Sequence, residues 1–151
     1  MNYIPKISVD NYYNWFKWSQ ALYKWACSQK LPTDNKCGIY LIYNKANCLY
    51  YIGSTSNFLK RNDLHYEELC YGVHSNYRIQ GDWNKYGKGL FHFVVIEIVK
   101  YEDLECREQF WMDSVNPPYN IRLKADRSDV SLKSVRERIS LRRSQVKSLP
   151  F

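Results

Sequence analysis

The sequence predicts a mixed α/β fold of the α+β type, a central three-stranded antiparallel sheet flanked by helices. Three observations carry that prediction. Residues 38–53, GIYLIYNKANCLYYIG, place two short aromatic and β-branched segments around Asn44-Lys45-Ala46-Asn47, the pattern of a hairpin. Residues 91–99, FHFVVIEIV, form an almost uninterrupted apolar run, the pattern of a buried central strand. Around them lie segments with apolar residues at helical spacing, punctuated by Gly, Asn and Pro.

The first element is helical. Trp15, Trp18, Leu22 and Trp25 recur at the period of one helix face, widened by Tyr12 and Phe16. The helix runs from about Asp10, a candidate N-cap, to Ser28, with Pro32 beyond its end. It is read as an added helix packed on the core. The alternatives are an aromatic DNA-contact surface or a docking face for a partner protein.

The hairpin follows. With its turn centred on Lys45-Ala46, Tyr43 faces Cys48 and Tyr40 lies directly opposite Tyr51. Alternation then puts both phenols on one face, where they can serve proton transfer or phosphate contact. Ile39, Leu41, Tyr50 and Ile52 point the other way, into a core.

Next, the polar stretch from Ser54 to Asn57 can cap a helix that runs to about Tyr71 and ends at Gly72. Arg61 and His65 are one turn apart on it and share a face. A further helix spans about Ser75 to Tyr86 and stops at Gly87-Lys88-Gly89. The strand Leu90 to Val99 leads to a helix that starts near Glu102 or Asp103, runs to about Ser114 and is broken by Asn116-Pro117-Pro118. Tyr119 to Ile121 then returns to the sheet as a short extended piece. Within 131–140, Leu132, Val135 and Ile139 make a narrow apolar stripe on a basic helix.

The 151 residues are enough for one compact domain with extensions. No apolar run approaches a membrane span and no leader pattern precedes the first strand, so a soluble, intracellular protein is expected. The cysteines, Cys27, Cys37, Cys48, Cys70 and Cys106, are odd in number and lack a Cys-x-x-Cys pair. They argue for free thiols in a reducing compartment and against a disulfide framework or a zinc site. Residues 122–151 carry nine Lys or Arg against three acids and so hold +6 of the net +7. A basic tail of this kind reads as an anchor for the DNA backbone, or as a solvated end.

Among the carboxylates, Glu108 stands out. Leu104, Trp111 and Val115 mark the inward face of the last core helix, and Glu108 falls on that face. A charge there is costly unless it is paired or binds a cation. Two readings follow: a salt bridge to Arg61 or Arg107, or a single-carboxylate site for a hard divalent ion such as Mg²⁺ or Mn²⁺.

The Gly38-Ile39-Tyr40 and Tyr51-Ile52-Gly53 triplets, ten residues apart, resemble the signature of the GIY-YIG endonucleases. The resemblance continues in order. Arg61 and His65 resemble the family's Arg-x-x-x-His helix. Residues 74–97, HSNYRIQGDWNKYGKGLFHFVVIE, are similar to the phage and intron-encoded, homing-like branch. Glu108, within Arg107-Glu108-Gln109-Phe110-Trp111, matches the metal-binding glutamate, and Tyr119-Asn120-Ile121 the closing motif. The resemblance covers about 37–121, with 1–36 a helical extension and 122–151 a basic tail that can form a DNA-binding helix. After residue 121 too little chain is present for a full helix-turn-helix domain.

What the resemblance implies is a metal-dependent DNA endonuclease whose single active site nicks one strand at a time. The enzyme would act as a monomer or transient dimer on DNA. Tyr40 becomes the candidate general base, helped by Tyr51 and His65, since a free phenol near pKa 10 is a poor base. Arg61 clamps phosphate oxygens. His65 orients, or accepts a proton from, the tyrosine or water. Glu108 holds Mg²⁺ or Mn²⁺, and Asn120 holds the glutamate or the strand end. Lys60, Trp83, Lys85, Arg122, Lys124, Arg136, Arg142 and Arg143 are the expected DNA contacts. His74, Asn76 and Tyr86 are assigned to packing and the substrate groove, and His92 to structure. The alternatives are a restriction-type or structure-specific nuclease of the same family, or a non-catalytic DNA-binding module on the same scaffold.

Overall fold

Strand β1 (Gly38–Asn44) is buried at every position. It occupies the middle of a three-stranded antiparallel sheet of order β2-β1-β3, between β2 (Tyr50–Thr55) and β3 (Phe91–Ile98). This computed structural model describes residues 12–32, 34–122, 125 and 132–147. The remaining elements are α1 (Tyr12–Ser28), α2 (Phe58–Tyr71), α3 (Tyr77–Tyr86), α4 (Leu104–Val115) and α5 (Leu132–Lys147). Short 3₁₀ turns at Lys88–Leu90 and Tyr101–Asp103 lead into β3 and α4.

Both faces of the sheet are covered. On one face, Ile39, Leu41, Tyr43, Tyr50, Ile52 and Ile96 pack with Trp18, Leu22 and Ala26 of α1 and with Leu104, Trp111 and Val115 of α4. On the other, Tyr40, Ile42 and Val95 pack with Phe58 and Leu69 of α2 and Ile79 of α3. The aromatic stripe of α1 therefore faces inward. Trp15 stacks near Tyr50 at 6.5 Å, Tyr23 on Tyr43 at 4.3 Å, and Trp25 lies 5.6 Å from Trp111. The N-cap expected at Asp10 and the side chain of Tyr12 lie outside the described residues.

Two expectations about the sheet change. The long apolar run is β3, but it is an edge strand, mostly half-buried, and the central strand is β1. The run is mostly apolar because helices cover both of its faces, not because strands flank both of its edges. The hairpin register also differs. Tyr40 pairs with Gly53, Tyr43 with Tyr50, and Tyr51 with Ile42. The turn is wider than a tight hairpin because its asparagines rebuild it. Asn44 Oδ1 accepts from Ala46 N–H (2.9 Å), Asn47 Oδ1 accepts from Leu49 N–H (3.1 Å), and Cys48 adopts a left-handed φ of 62°. The slip is two residues, so parity survives and Tyr40 and Tyr51 keep one face as diagonal neighbours.

Helix ends follow local chemistry. Asn57 caps α2 by accepting from Lys60 N–H, and Gly72 closes it at φ 71°. Asn76 caps α3 by accepting from the N–H groups of Arg78 and Ile79, so α3 starts at Tyr77 and not Ser75. Helix α4 begins at Leu104 after the 3₁₀ turn. Pro118 and Tyr119 form a turn closed by Asn120 N–H on Pro117 O (3.2 Å), not a strand, although Tyr119 N–H does bond Tyr50 O (3.1 Å) at the edge of β2. Helix α5 extends beyond the expected ten residues. Its Ile139 is buried, while the Leu132 and Val135 side chains lie outside the described residues.

Gly38 allows β1 and β3 to meet at a bulge between Ile39 and Tyr40. A Cβ there would sit 2.0 Å from the Glu97 carbonyl oxygen and 2.8 Å from the Phe58 ring. Gly38→Ala is therefore expected to lower unfolding stability by at least about 1–3 kcal/mol, the scale of core overpacking. Urea denaturation monitored by circular dichroism checks this; an unchanged midpoint would contradict the close approach.

Candidate active site

Three neighbours converge on the Tyr40 phenol oxygen. His65 Nε2 lies 2.7 Å away and Arg61 Nε donates from 3.4 Å. The Tyr51 ring is 6.2 Å from that of Tyr40, close enough for each phenol to shift the other. The convergence follows from α2, on which Arg61 and His65 are one turn apart, and from the diagonal placement of the two tyrosines. Gly53 is required as well: a Cβ at this position would fall 2.5 Å from the Tyr40 ring and hydroxyl.

A histidine pair sets the direction of the bonds. His65 Nδ1 is 2.7 Å from His74 Nε2, and His74 Nδ1 accepts from the Asn76 backbone N–H at 3.0 Å. Burial first, then the Arg61 charge, holds both imidazoles well below the ordinary 6.5, His74 at about 4. Both are thus neutral at pH 7. A neutral His74 that accepts at Nδ1 carries its proton on Nε2 and donates it to His65 Nδ1. His65 then carries its proton on Nε2 and donates to Tyr40. The sequence assigned His74 to packing and the substrate groove, not to this network. The available signal was its position two residues before the Asn76 cap, which places its ring against a free backbone N–H.

Burial pushes the Tyr40 phenol up, as expected for a side chain 1 % exposed. The Arg61 charge and the hydrogen bonds from Arg61 and Tyr51 oppose that rise, while the Glu108 charge adds to it. Tyr51 is likewise raised, by burial and by Tyr40. The oxygen is thus surrounded by donors suited to a phenolate, inside a site that disfavours the charge without a further cation.

Glu108 lies on α4, near enough for its charge to act on Tyr40 and Tyr51. It is half-buried, and its Oε2 accepts from Ser54 Oγ at 2.5 Å. Ser54, read from sequence only as a helix-capping residue, is a partner of this carboxylate. Arg107 instead forms a two-oxygen pair with Glu97, which also accepts from Trp111 Nε1 (2.6 Å). Among the described residues no group of three or more His, Cys, Asp or Glu could hold a metal. A lone carboxylate suits a hard cation that completes its shell with water and phosphate oxygen, and not a zinc-type ion.

Asn120 grips the free edge of β2. Its Oδ1 accepts from Ile52 N–H (3.0 Å) and its Nδ2 donates to Ile52 O (2.9 Å), beside Tyr51. Of its two expected roles this contact serves the strand end. Beside it, the Tyr119 hydroxyl accepts from Asn44 Nδ2 (3.0 Å) and donates to Asp82 Oδ2 (2.5 Å), tying the hairpin turn to α3.

The expected DNA contacts are dispersed. Lys60, Lys85, Arg122 and Arg142 are exposed, with Lys85 Nζ over the Tyr86 ring. Trp83 is half-buried between Tyr66 and Phe91. Arg143 pairs with Glu67 and lies over Tyr71. Lys124 and the Arg136 side chain lie outside the described residues. His92 bonds the Tyr23 hydroxyl (2.8 Å), a packing role.

Residues 36–120 match the GIY-YIG catalytic domain model. The Intron-associated endonuclease 1 of Enterobacteria phage T4 is 36 % identical over 115 residues, 73 % of this chain and 46 % of that protein. The chain thus spans about half the length of that curated relative. Two solved structures, the catalytic domain of the homing endonuclease I-TevI and a mutant of it, are similar at 35 % identity and a TM-score of 0.54. Each comparison covers 58 % of this chain, with 99 % and 94 % of the respective domain. The three-stranded sheet with flanking helices is their fold.

The histidine pair makes a pH prediction. Both groups have folded pKa values below their unfolded ones, so the unfolded chain binds more protons in between. Their contribution to stability is fully present above about 6.5 and is lost as pH falls toward their lowered values, about 4 for His74. The melting temperature should fall across that window, and fall less steeply in His74→Gln. A flat profile in the unsubstituted protein would contradict the neutral, buried pair.

Proposed function

The chain belongs to the GIY-YIG endonuclease family, and from that premise we propose that it is a metal-dependent, homing-type DNA endonuclease that hydrolyses phosphodiester bonds. It nicks one strand per encounter, because residues 37–121 carry one such centre. The observation that carries the reading is the convergence of Arg61, His65 and Tyr51 on the Tyr40 oxygen with Glu108 close enough for its charge to act on both tyrosines.

In this reading the scissile phosphate lies against the half-buried groups, Arg61, Tyr51 and Glu108. Arg61 Nε is committed to Tyr40, so phosphate contact falls to its Nη groups, which neutralise charge developing on the non-bridging oxygens. Tyr40 acts as its phenolate: having lost its own proton to solvent, it takes the proton of the attacking water and returns to the neutral phenol. His65 and Arg61 donate to the phenolate oxygen before that transfer, so His65 orients and stabilises and does not act as a base. Glu108, held by Ser54, would hold Mg²⁺ or Mn²⁺. Such an ion, when bound, supplies Lewis-acid stabilisation and offsets the carboxylate charge that raises both phenols. Asn120 fixes the β2 edge and with it Tyr51. The exposed Lys60, Lys85, Arg122 and Arg142, together with Lys124 and Arg136 of the tail, contact DNA phosphates.

Plasmid nicking with Mg²⁺ or Mn²⁺, abolished by EDTA, tests the whole reading. Glu108→Ala should lower the rate by roughly 10²–10³-fold, the scale of losing one element of charge stabilisation, while DNA binding persists. Retained cleavage in that variant would falsify the metal assignment. For the tail, Arg142→Ala should weaken binding alike on all sequences and reduce the salt slope by about 1. A loss confined to particular sequences in electrophoretic shift assays would mean instead that Arg142 reads bases.

A further inference from the structure

Glu68 is a buried carboxylate that the chemistry above does not use. It is 2 % exposed and lies on the face of α2 that carries Arg61 and His65, seven and three residues before it. Its Oε1 is 4.0 Å from Arg61 Nη1, and its Oε2 is 3.4 Å from Arg138 Nη2 of α5. Burial pushes the Glu68 carboxyl up, while the Arg61 and Arg138 charges and the Ser75 backbone N–H pull it down. A carboxylate this deep is strongly destabilising without its cations.

The guanidinium of Arg61 is a rigid plane. Nε reaches Tyr40 at one end and Nη1 faces Glu68 at the other, so two anchors fix its rotation. Arg138 is partly withdrawn from solvent, although its side chain is 36 % exposed. Its Nε is buried and has no hydrogen-bond partner, an unfavourable arrangement for a side chain with water available. Its neighbour Ile139 is buried, and one turn on Arg143 pairs with Glu67 (2.5 Å) and covers Tyr71. Helix α5 therefore docks along α2 directly behind the catalytic arginine.

We propose that Glu68 is a positioning residue for Arg61, and that α5 belongs to the catalytic apparatus because Arg138 holds Glu68 in that role. The proposal deepens the nuclease reading and rests on it. Without Glu68, Arg61 and Arg138 lose the anion between them and repel. Without Arg138, Glu68 keeps one cation and lies free to turn away from Nη1. The basic C-terminal segment then has two duties, with Arg138 directed at the active site and Arg142 left for DNA.

The test uses the full chain, with kcat and KM from plasmid nicking and a separate readout of Arg61 itself. Glu68→Gln keeps the shape and removes the charge. It should lower kcat about 10- to 100-fold, the usual effect of removing a supporting partner, with KM for DNA unchanged. Arg138→Ala should lower kcat in the same direction, and Arg138→Lys should recover part of it. The double variant should be no worse than Glu68→Gln, because Arg138 acts only through Glu68. The Arg61 Nε–H exchange rate, followed by ¹⁵N NMR, should rise in both single variants. Wild-type kcat in Glu68→Gln, a purely KM effect in Arg138→Ala, additive losses, or an unchanged Arg61 exchange rate would each overturn the proposal. If Glu68→Gln fails to fold, Arg138→Ala, at a side chain 36 % exposed, decides by the same readouts. If the wild-type protein does not nick DNA, the nuclease reading fails, and the Arg61 exchange rate still reports on the positioning.

Discussion

The Tyr40 side chain is only 1 % exposed, and the rest of the site is arranged around what a buried phenol requires. Burial alone keeps the phenol protonated, so donors must surround the oxygen before it can carry negative charge. Arg61 and His65 arrive together because they are successive turns of one helix. Tyr51 arrives because a two-residue register shift preserves strand parity. Gly53 leaves the space in which the oxygen sits. Each is a consequence of backbone geometry, and none of them works without the others.

Enclosure also explains the buried polar chain behind the site. An imidazole facing Tyr40 has a second nitrogen that must find a partner, and His74 supplies it. His74 in turn needs a donor for its own Nδ1, and Asn76, the N-cap of α3, offers a backbone N–H that the helix leaves free. The chain ends at the peptide backbone, which cannot change tautomer. A helix terminus thereby sets the protonation pattern at a phenol two residues deeper in the network.

The second requirement is stiffness at the sheet edge. Strand β2 carries Tyr51 but has β1 on one side only. Asn120 satisfies both Ile52 backbone groups on the open side, and Tyr119 adds a bond to Tyr50. Glu108 reaches the same edge from the helix layer on the opposite face and is fixed there by Ser54. The carboxylate thus acts on the phenols through its charge while belonging to a different core.

The sequence determined the elements and their faces. The Tyr40 and Tyr51 phenols, the Arg61-His65 pairing on α2, the inward aromatic stripe of α1 and the inward Glu108 all follow from periods of two and 3.6, which are local properties of the chain. Its ordered match to a family signature also pointed to the site. The partners were a different matter. That Ser54 holds Glu108, that Asn120 bonds Ile52, that His74 completes the His65 relay and that Arg138 reaches Glu68 depends on residues 54, 68, 9 and 70 positions apart meeting in space. The hairpin register was equally beyond local reading, because two asparagine side chains rebuilt the turn. Periodicity fixes which way a side chain points along its own element; only packing of the elements decides what it meets there.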